Sequence, residues 1–405
     1  PPRIKRLICM SDAPWLTIIG IGEDGVAGLR ARSQAALETA DIIMGPPRHL
    51  GVLGETRART IGWPVPFSDG LTQLDALRGQ RVVVLASGDP FWFGAGSVIA
   101  RRYAAHEWTA YPGPSCFALA ANQLGWALEK TICLGLHAAP MQRLRRHLAP
   151  ATHLIVTLRD GAAVGELAGY LAQHGFGDST ITIFEHLGGP RERITSGTAH
   201  ALTGTFDHPV CAAIVLAGDG AVLTRATGQP DDTFQSDGQM TKQPVRAITL
   251  STLAPKPHEH LWDVGGGSGS IALEWLLTHP TTRATCIEPR DDRAARIRLN
   301  AETLGVDHRL HIVIGSAPDA LCDLEAPDAI FVGGGLSQDV LEEVSATNAR
   351  LVVNAVTLEG EALLALWQTR LGGDLMRIEL AHAKPLGAKR GWAAAYPVVQ
   401  WSVTQ

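Results

Sequence analysis

The chain has 405 residues, 45% of them hydrophobic and 19% charged, which is enough for two or three domains that each bury a core. Its formal net charge of −5 excludes a broadly basic surface, so we expect no nucleic-acid partner. The longest near-apolar run, residues 210–218, is about half of the roughly 20 residues that a membrane span needs, and we find no signal-peptide pattern. Six scattered cysteines without a CxxC pair argue against a disulfide framework and a thiolate metal site. Together these features favour a reduced, soluble, cytoplasmic protein with no membrane partner.

The first half of the chain alternates apolar runs, glycine turns and helical stretches. Strands are predicted at 15–20, 41–44, 81–86, 153–157 and 209–217, with a long helix at 27–40. This alternation indicates layered α/β structure with a largely parallel sheet.

Residues 226–239 lack apolar periodicity and are rich in turn formers, which predicts a linker. Beyond it, helices are predicted at 245–254, 271–277, 290–304 and 336–346, and strands at 260–264, 284–288, 311–314, 329–332 and 350–354. This order fits one doubly wound domain. We therefore predict one domain at 1–225, the linker at 226–239 and a second domain at 240–405.

A glycine-rich loop, Asp-Val-Gly-Gly-Gly-Ser-Gly at 263–269, lies between a predicted strand and a predicted helix. Glycines at 265, 267 and 269 allow a sharp turn and close approach of a ligand to the helix N-terminus. Ser270 stands where a dinucleotide fingerprint has its third glycine. The resulting GxGxG spacing suits a nucleoside joined to an amino acid, without a pyrophosphate.

Two further features support a nucleoside site in this domain. Glu288 ends the next strand, where a carboxylate can accept hydrogen bonds from both ribose hydroxyls. The loop 315–321 follows the strand after that and is placed to cover an adenine. A lone glycine loop is weak evidence, but the three features in register favour a binding site over a simple turn.

This half resembles the class I S-adenosylmethionine-dependent methyltransferases. More narrowly, the segments 240–250, 328–335 and 354–359 resemble the precorrin decarboxylating methyltransferases of cobalamin synthesis. The resemblance implies a Rossmann-like domain with cofactor contacts at Thr241, Gly265, Gly266, Gly267, Ser268, Gly269, Glu288 and Ala317. The sequence departs from the family in having Glu288 where Asp is commoner, and Pro244 in the first turn of a helix, where proline is allowed.

The first half carries its own set of turn motifs, at 20–22, 87–94, 111–115 and 184–194. Alone, Gly-Asp-Pro at 88–90 is more often a plain turn. The full set resembles the tetrapyrrole (class III) methyltransferases, which implies two α/β lobes with S-adenosylmethionine bound between them. The cofactor contacts implied are Ser87, Gly88, Asp89, Trp92, Ser115 and Cys116. Glu23 stands where many members of that family have proline.

The two resemblances together imply a bifunctional enzyme of cobalamin biosynthesis with one S-adenosylmethionine per domain. It would methylate ring carbons 5 and 15 of precorrin-6 and remove the carboxyl of the acetate side chain on carbon 12. The second domain would act at carbon 15 and decarboxylate, and the first would act at carbon 5. Both families commonly form homo-oligomers, so we expect one here by analogy.

The reduced macrocycle supplies its own enamine nucleophile, so the enzyme orients it, excludes water and accepts a proton. No residue is assigned as catalytic; His137, His186 and His382 stay open as acid or base. Arg246, Lys384, Lys389 and Arg390 are candidates to bind substrate carboxylates, with a solvated loop an equal alternative. His258 and His260 lack further ligands, so no metal is expected.

Two other functions remain open at this stage. One is methylation of another substrate such as RNA, although a basic, aromatic-studded face would then be expected. The other is a non-catalytic scaffold that binds S-adenosylmethionine at both sites without turnover.

Overall fold

A computed structural model describes residues 14–404, which divide into two compact units. The first unit takes the chain to Ala139 together with Ala149–Ala221. The second takes Pro140–Leu148 together with the chain from Val222. Both units are mixed α/β structures, so the predicted fold class is confirmed.

The first sheet of the first unit is fully parallel, with the strand order β3-β2-β4-β1-β5. Its strands are β1 (Leu16–Ile21), β2 (Ile42–Gly45), β3 (Arg59–Gly62), β4 (Val82–Ser87) and β5 (Trp108–Tyr111). The helices that belong to it are α1 (Ala31–Thr39), α2 (Pro47–Leu53), α3 (Phe67–Asp75) and α4 (Gly96–Arg102). Strands β1 and β4 are almost wholly buried, as expected for parallel strands covered on both faces.

The long helix predicted at 27–40 is interrupted. A 3-10 helix spans Gly25–Gly28, and α1 begins only at Ala31, because Leu29 and Arg30 have extended backbones. The prediction was therefore right about a helix before β2 and wrong about its start.

The second sheet of the first unit has the order β6-β7-β10-β8-β9. Its elements are α5 (Cys116–Leu124), β6 (Ile132–Gly135), β7 (His153–Thr157), α6 (Ala162–Gln173), β8 (Thr180–Glu185), β9 (Arg193–Thr198) and β10 (Val210–Val215). Only β6 and β7 pair in parallel, so the predicted largely parallel arrangement is wrong for this sheet. The physical reason is clearest at β8 and β9, whose short connection suits an antiparallel pair, whereas a parallel pair needs a long crossover.

The second unit has a seven-stranded sheet with the order β13-β12-β11-β14-β15-β19-β16. Its strands are β11 (His260–Val264), β12 (Arg283–Glu288), β13 (Leu310–Ile314), β14 (Ala329–Val332), β15 (Arg350–Ala355), β16 (Asp374–Ile378) and β19 (Val398–Val403). Strand β19 runs antiparallel to both neighbours. The strands β17 (Ala381–Leu386) and β18 (Lys389–Ala394) form a separate hairpin.

The helices of this unit are α7 (Gln243–Leu253), α8 (Ser270–Thr278), α9 (Asp291–Thr303), α10 (Gln338–Ser345) and α11 (Leu358–Leu371). All five strands predicted between 260 and 354 are present. The strand order reverses between β11 and β14, which opens a crevice at their carboxyl ends, where doubly wound domains bind ligands.

The segment predicted as a linker, 226–239, packs onto the second unit. Phe234 is 4% exposed and belongs to the core beside α8 and β11. The N–H groups of Gly228 and Gln229 donate to the carboxylate of Glu274 on α8, the latter at 2.8 Å. This part of the chain therefore contributes to the second unit's core.

Candidate functional site

The loop that follows β11 is shaped by its glycines. Gly265, Gly267 and Gly269 have φ of 76°, 60° and 77°, in the left-handed region that favours glycine. A Cβ on Gly265 would lie 2.6 Å from the Cα of Gly334, in the loop after β14. The glycines therefore let this loop pack closely against the loop after β14. The glycine loop ends at the start of α8, where helix N–H groups and the helix dipole favour a polar ligand.

The carboxylate of Glu288, 2% exposed, is bound to this loop at the end of β12. Its Oε2 accepts a hydrogen bond from the Gly267 N–H at 2.8 Å, and its Oε1 accepts one from the Arg290 N–H at 3.1 Å. The Gly315 N–H donates to the Glu288 carbonyl at 3.2 Å. The structure thus brings together the glycine loop, Glu288 and the loop of Ala317 at one edge of the sheet.

Thr241 lies in the segment that leads into α7. Two residues earlier, the Gln239 carbonyl would be 3.8 Å from a Cβ on Gly267. The lead-in segment therefore reaches the glycine loop, and the contact of Thr241 with the cofactor stays a prediction.

Asp263, near the end of β11, connects this strand with α8. It is 1% exposed, and its Oδ2 accepts a hydrogen bond from the Ala272 N–H in α8 at 3.1 Å. Burial raises the pKa of Asp263 to about 7, and the negative charge of Glu288 adds to the rise. This carboxyl group joins the strand to the first turn of the helix.

The sequence analysis missed Asn300, which holds the loop from α9. Its Nδ2 donates to the carbonyl of Ser268 at 3.0 Å and to that of Gln235 at 2.9 Å, while its Oδ1 accepts from the Gln235 N–H at 2.9 Å. Asn300 is 3% exposed. The available signal was its spacing, since it lies three residues after Ile297 on the apolar side of an otherwise charged helix.

Arg246, proposed from the sequence as a clamp for substrate carboxylates, is completely buried. Its Nε donates to Glu274 at 2.5 Å, and its Nη1 donates to Asp231 at 3.0 Å and to the Thr241 carbonyl at 2.5 Å. Its Nη2 donates to the Gln229 carbonyl. Since every guanidinium nitrogen is occupied, Arg246 joins α7 and α8 to the segment before them and does not bind substrate.

The other three basic candidates lie on the exposed hairpin. The sequence predicted a loop here; instead Lys384 lies in β17 and Lys389 and Arg390 in β18, with the turn at Gly387. Their role in binding carboxylates stays a prediction.

The first unit contains a cavity of about 460 Å³ between its carboxyl-edge loops. Five of the predicted cofactor residues line it: Ser87, Gly88, Trp92, Ser115 and Cys116. The loops meet through their backbones, since a Cβ on Gly88 would lie 2.7 Å from the Pro114 carbonyl. The wall is largely apolar, and the ring of Trp92 stacks on Phe117 with centroids 5.6 Å apart.

Asp89 is not among the residues lining this cavity. Its Oδ1 accepts a hydrogen bond from the Phe91 N–H at 2.9 Å, which closes an Asx turn. The structure therefore gives Asp89 a part in shaping the loop.

Cys116 begins α5, whose N-cap Ser115 accepts a hydrogen bond from the Ala118 N–H at 3.2 Å. The neighbouring thiol of Cys211 donates to Cys116 and lowers the pKa of Cys116. The five cysteines within residues 14–404 are free thiols, and Cys9 lies outside that range.

A polar cluster on the same cavity wall was also missed. Arg48 forms an ion pair with Glu23, and its Nη2 lies 2.8 Å from both the Ser87 Oγ and the His49 Nε2. Burial, and then the charge of Arg48, lowers the pKa of His49 to about 4, so its imidazole is neutral near pH 7. Glu23, where many members of the class III family have proline, also accepts from the Nδ1 of His186 at 3.2 Å. Only spatial proximity relates these residues, so local spacing gave no signal for them.

Between residues 14 and 404, no helix has the length and apolar character to cross a membrane. Within the same residues, no group of three or more His, Cys, Asp or Glu side chains is arranged to hold a metal ion.

Comparison with known families agrees with this geometry. Residues 16–203 match the family described as Tetrapyrrole (Corrin/Porphyrin) Methylases, and residues 232–405 match the Precorrin methyltransferase domain family. A protein of Sinorhizobium sp named precorrin-6Y C(5,15)-methyltransferase (decarboxylating) is 46% identical over 97% of both chains. One of the same name from Mycobacterium tuberculosis strain H37Rv is 38% identical over 96% of this chain and 100% of its own length.

A shorter relative, from Saccharolobus solfataricus, is named probable cobalt-precorrin-6B C(15)-methyltransferase (decarboxylating). It is 36% identical over 41% of this chain and 88% of its own length. Fold, sites and relatives together define an S-adenosylmethionine-dependent methyltransferase with two methyltransferase domains. The chain belongs to the precorrin-6Y C(5,15)-methyltransferase (decarboxylating) family.

Proposed function

We propose that this protein methylates ring carbons 5 and 15 of precorrin-6 and removes the carboxyl of the acetate side chain on carbon 12, in cobalamin biosynthesis. The observation that carries the proposal is the presence in one chain of two unlike methyltransferase folds, the first with a ligand-sized cavity and the second with a glycine loop bound to Glu288. Relatives that match nearly the whole chain are named for methylation at both carbons and for decarboxylation.

The second unit is proposed to act at carbon 15 and to decarboxylate, and the first unit to act at carbon 5. The shorter archaeal relative supports this division, because it is named for the carbon-15 and decarboxylating steps alone and matches only 41% of this chain. We also propose the domain limits 1–225 and 240–405. The family match at 16–203 falls within the first domain, and the match at 232–405 covers the second domain and begins eight residues before it.

The second unit's residues fit S-adenosylmethionine by their donors and acceptors. A Cβ on Gly267 would meet nothing closer than 3.8 Å, which leaves space there for the amino-acid part. The fixed carboxylate of Glu288 can accept from ribose hydroxyls, and the loop of Ala317 can cover the adenine. When bound, the cofactor supplies an electrophilic methyl group. The protein's contribution is to orient the ring carbon in line with that methyl and to exclude water.

In the first unit, Ser87, Gly88, Trp92, Ser115 and Cys116 are proposed to hold a second S-adenosylmethionine. The largely apolar cavity suits the ring system, and Arg48 offers a cation near its wall for an acidic side chain of the substrate. A homo-oligomeric, cytoplasmic enzyme without a nucleic-acid partner completes the proposal, and the net charge of −5 supports the last point.

The test uses full-length variants that damage one site each. Gly88→Ala places a Cβ 2.7 Å from the Pro114 carbonyl at a φ of 52°, and Glu288→Ala removes the carboxylate of the second site. We expect the wild-type protein to bind two S-adenosylmethionine molecules by calorimetry and each variant to bind one. With precorrin-6, mass spectrometry of the Gly88→Ala reaction should show one added methyl and loss of carbon dioxide, and Glu288→Ala should release no carbon dioxide.

Glu302→Ala, at an exposed position of α9, is the matched control and should behave as wild type. If Gly88→Ala blocks carbon dioxide release and Glu288→Ala does not, the division of labour is reversed. If the wild-type protein leaves the mass of the precorrin unchanged while binding S-adenosylmethionine, the assigned substrate is wrong.

A further inference from the structure

Methylation of a ring carbon that carries hydrogen releases a proton, and the proposed function does not say which group accepts it. The cavity of the first unit offers His137, which follows β6. The Nδ1 of His137 lies 2.8 Å from the Oγ1 of Thr157, the last residue of β7. Both residues line the cavity together with Ser87 and Ser115, so the pair faces the same space as the proposed cofactor contacts.

His137 forms no ion pair with a charged side chain of residues 14–404, although Glu23 and Arg48 line the same cavity. A Cβ on Gly135 would lie 3.3 Å from the His137 Cε1 and 2.8 Å from the Phe93 Cδ1, so the imidazole packs beside the loop 87–94. Gly135 of β6 and Phe93 of that loop therefore lie near the imidazole, and Thr157 of β7 is its hydrogen-bond partner. Partial removal from water lowers the pKa of His137 below its usual value, which keeps the ring neutral near pH 7.

We propose that His137 is the general base of the first unit and that Thr157 is its positioning residue. The inference rests on the proposed function. In this role the Nδ1–H donates to the Thr157 Oγ1, which leaves the second ring nitrogen, Nε2, without a hydrogen and able to accept the proton.

The step balances without any oxidant or reductant. The π electrons of the ring enamine form the new carbon–carbon bond, the carbon–sulfur bond breaks, and its electron pair stays on sulfur. The methylated carbon then carries both the methyl and its hydrogen, and the positive charge lies on the conjugated ring nitrogen. Nε2 of His137 takes that hydrogen as a proton, and the carbon–hydrogen electron pair restores the conjugated system and neutralises the nitrogen.

Two other histidines of this cavity are less suited. His49 is 3% exposed, and its Nε2 already lies 2.8 Å from the Arg48 guanidinium and 2.9 Å from the Ser87 hydroxyl. His208 has no side-chain hydrogen bond to another part of the chain within residues 14–404 that would orient its ring. Of the three histidines that line this cavity, His137 combines access to it with an orienting partner and has no ion pair.

The experiment isolates the first unit's step in the full-length protein. The substrate is the product that the Gly88→Ala protein forms from precorrin-6, and mass spectrometry follows addition of the remaining methyl. We expect His137→Gln to lower this rate by about 100-fold or more, the range of a lost general base. S-adenosylmethionine affinity and carbon dioxide release from precorrin-6 should stay unchanged, and added imidazole should restore part of the rate.

The pH profile and the partner residue give further readouts. The fall in rate at acid pH that reports protonation of His137 should disappear in His137→Gln. Thr157→Val should lower the rate about fivefold, as for a lost hydrogen bond, while Thr157→Ser should keep most of it. His106→Gln, in an exposed turn before β5, is the control and should match wild type.

A wild-type rate and pH profile in His137→Gln would overturn the assignment of the base. So would loss of cofactor affinity in that variant, or a loss of rate in His208→Gln alone. If the wild-type protein adds no methyl to the Gly88→Ala product, the proposed action at carbon 5 is wrong, and so is the assignment of His137 as its base. The reaction with wild-type protein therefore distinguishes an error in the assigned base from an error in the proposed function.

Discussion

At the scale of single residues, Asp263 links the stability of the second unit to pH. A carboxyl group in an unfolded chain has a pKa near 3.9, whereas the pKa of Asp263 in the fold is about 7. Between about pH 4 and pH 7 the folded protein therefore holds a proton that the unfolded chain does not. Stability from this residue is present at low pH and is lost as pH rises through that window.

Asp263→Asn should consequently gain stability relative to wild type as the pH is raised. The amide oxygen can still accept from the Ala272 N–H, and no charge forms in the core. The difference in melting temperature between variant and wild type, measured without cofactor, should grow by several degrees from pH 5 to pH 8. The reason is that the wild-type protein loses on the order of a few kcal/mol of unfolding free energy over this range.

Asp339→Asn, at an exposed position in the first turn of α10, should show no such change across this range. A difference for Asp263→Asn that stays constant from pH 5 to pH 8 would contradict the raised pKa.

At the scale of elements, the loop between β11 and α8 depends on backbone shape. Gly265→Ala would place a Cβ 2.6 Å from the Cα of Gly334, at a φ of 76°. The loop must move to relieve this contact and a backbone strain of ~1–3 kcal/mol. S-adenosylmethionine affinity at the second site should therefore fall at least about tenfold. Calorimetry on the full-length protein checks this.

The matched control is Gly372→Ala, at the end of α11. It has a similar φ of 73° but nothing within 4 Å of the added Cβ. Its ψ of −148° lies in a region nearly restricted to glycine, so the substitution should cost about 1–3 kcal/mol of stability and leave cofactor affinity unchanged. Equal affinity losses in both variants would mean that the close approach to Gly334 has no part in binding.

At the scale of the whole molecule, the second unit is built from two separate pieces of chain. Residues 140–148 belong to it although they lie in sequence between β6 and β7. Arg143 Nη1 donates to Asp307 at 2.5 Å, and both side chains are partly buried. Arg143→Ala should therefore lower the stability of the second unit by about 1–2 kcal/mol, seen as faster amide exchange in α9 and in the turn 307–309.

Arg159→Ala is the control for that measurement, since its ion pairs with Asp160 and Glu166 are well exposed. Arg159→Ala should leave the amide exchange rates in α9 unchanged. Equal effects of the two substitutions would show that residues 140–148 add little to the second unit.

Local sequence patterns were sufficient to predict the α/β class, the strands from β11 to β15, the glycine loop with Glu288, and the family resemblance of both halves. These depend on local patterns, because a buried parallel strand is a short apolar run and a sharp turn at its end needs glycine. The sequence also placed Ser87, Gly88 and Ser115, which the fold brings into one cavity.

The antiparallel pairing of the second sheet, the burial of Arg246 and the clusters around Glu23, Asn300 and His137 became visible only in the folded chain. In each case the partner is distant along the chain: Arg246 meets Glu274 at a separation of 28 residues, and His137 meets Thr157 at 20. A charged or polar side chain has the same local pattern whether it faces water, a substrate or a buried partner. Its role is set by which groups surround it once the core has formed, since burial without a partner is costly for a charge.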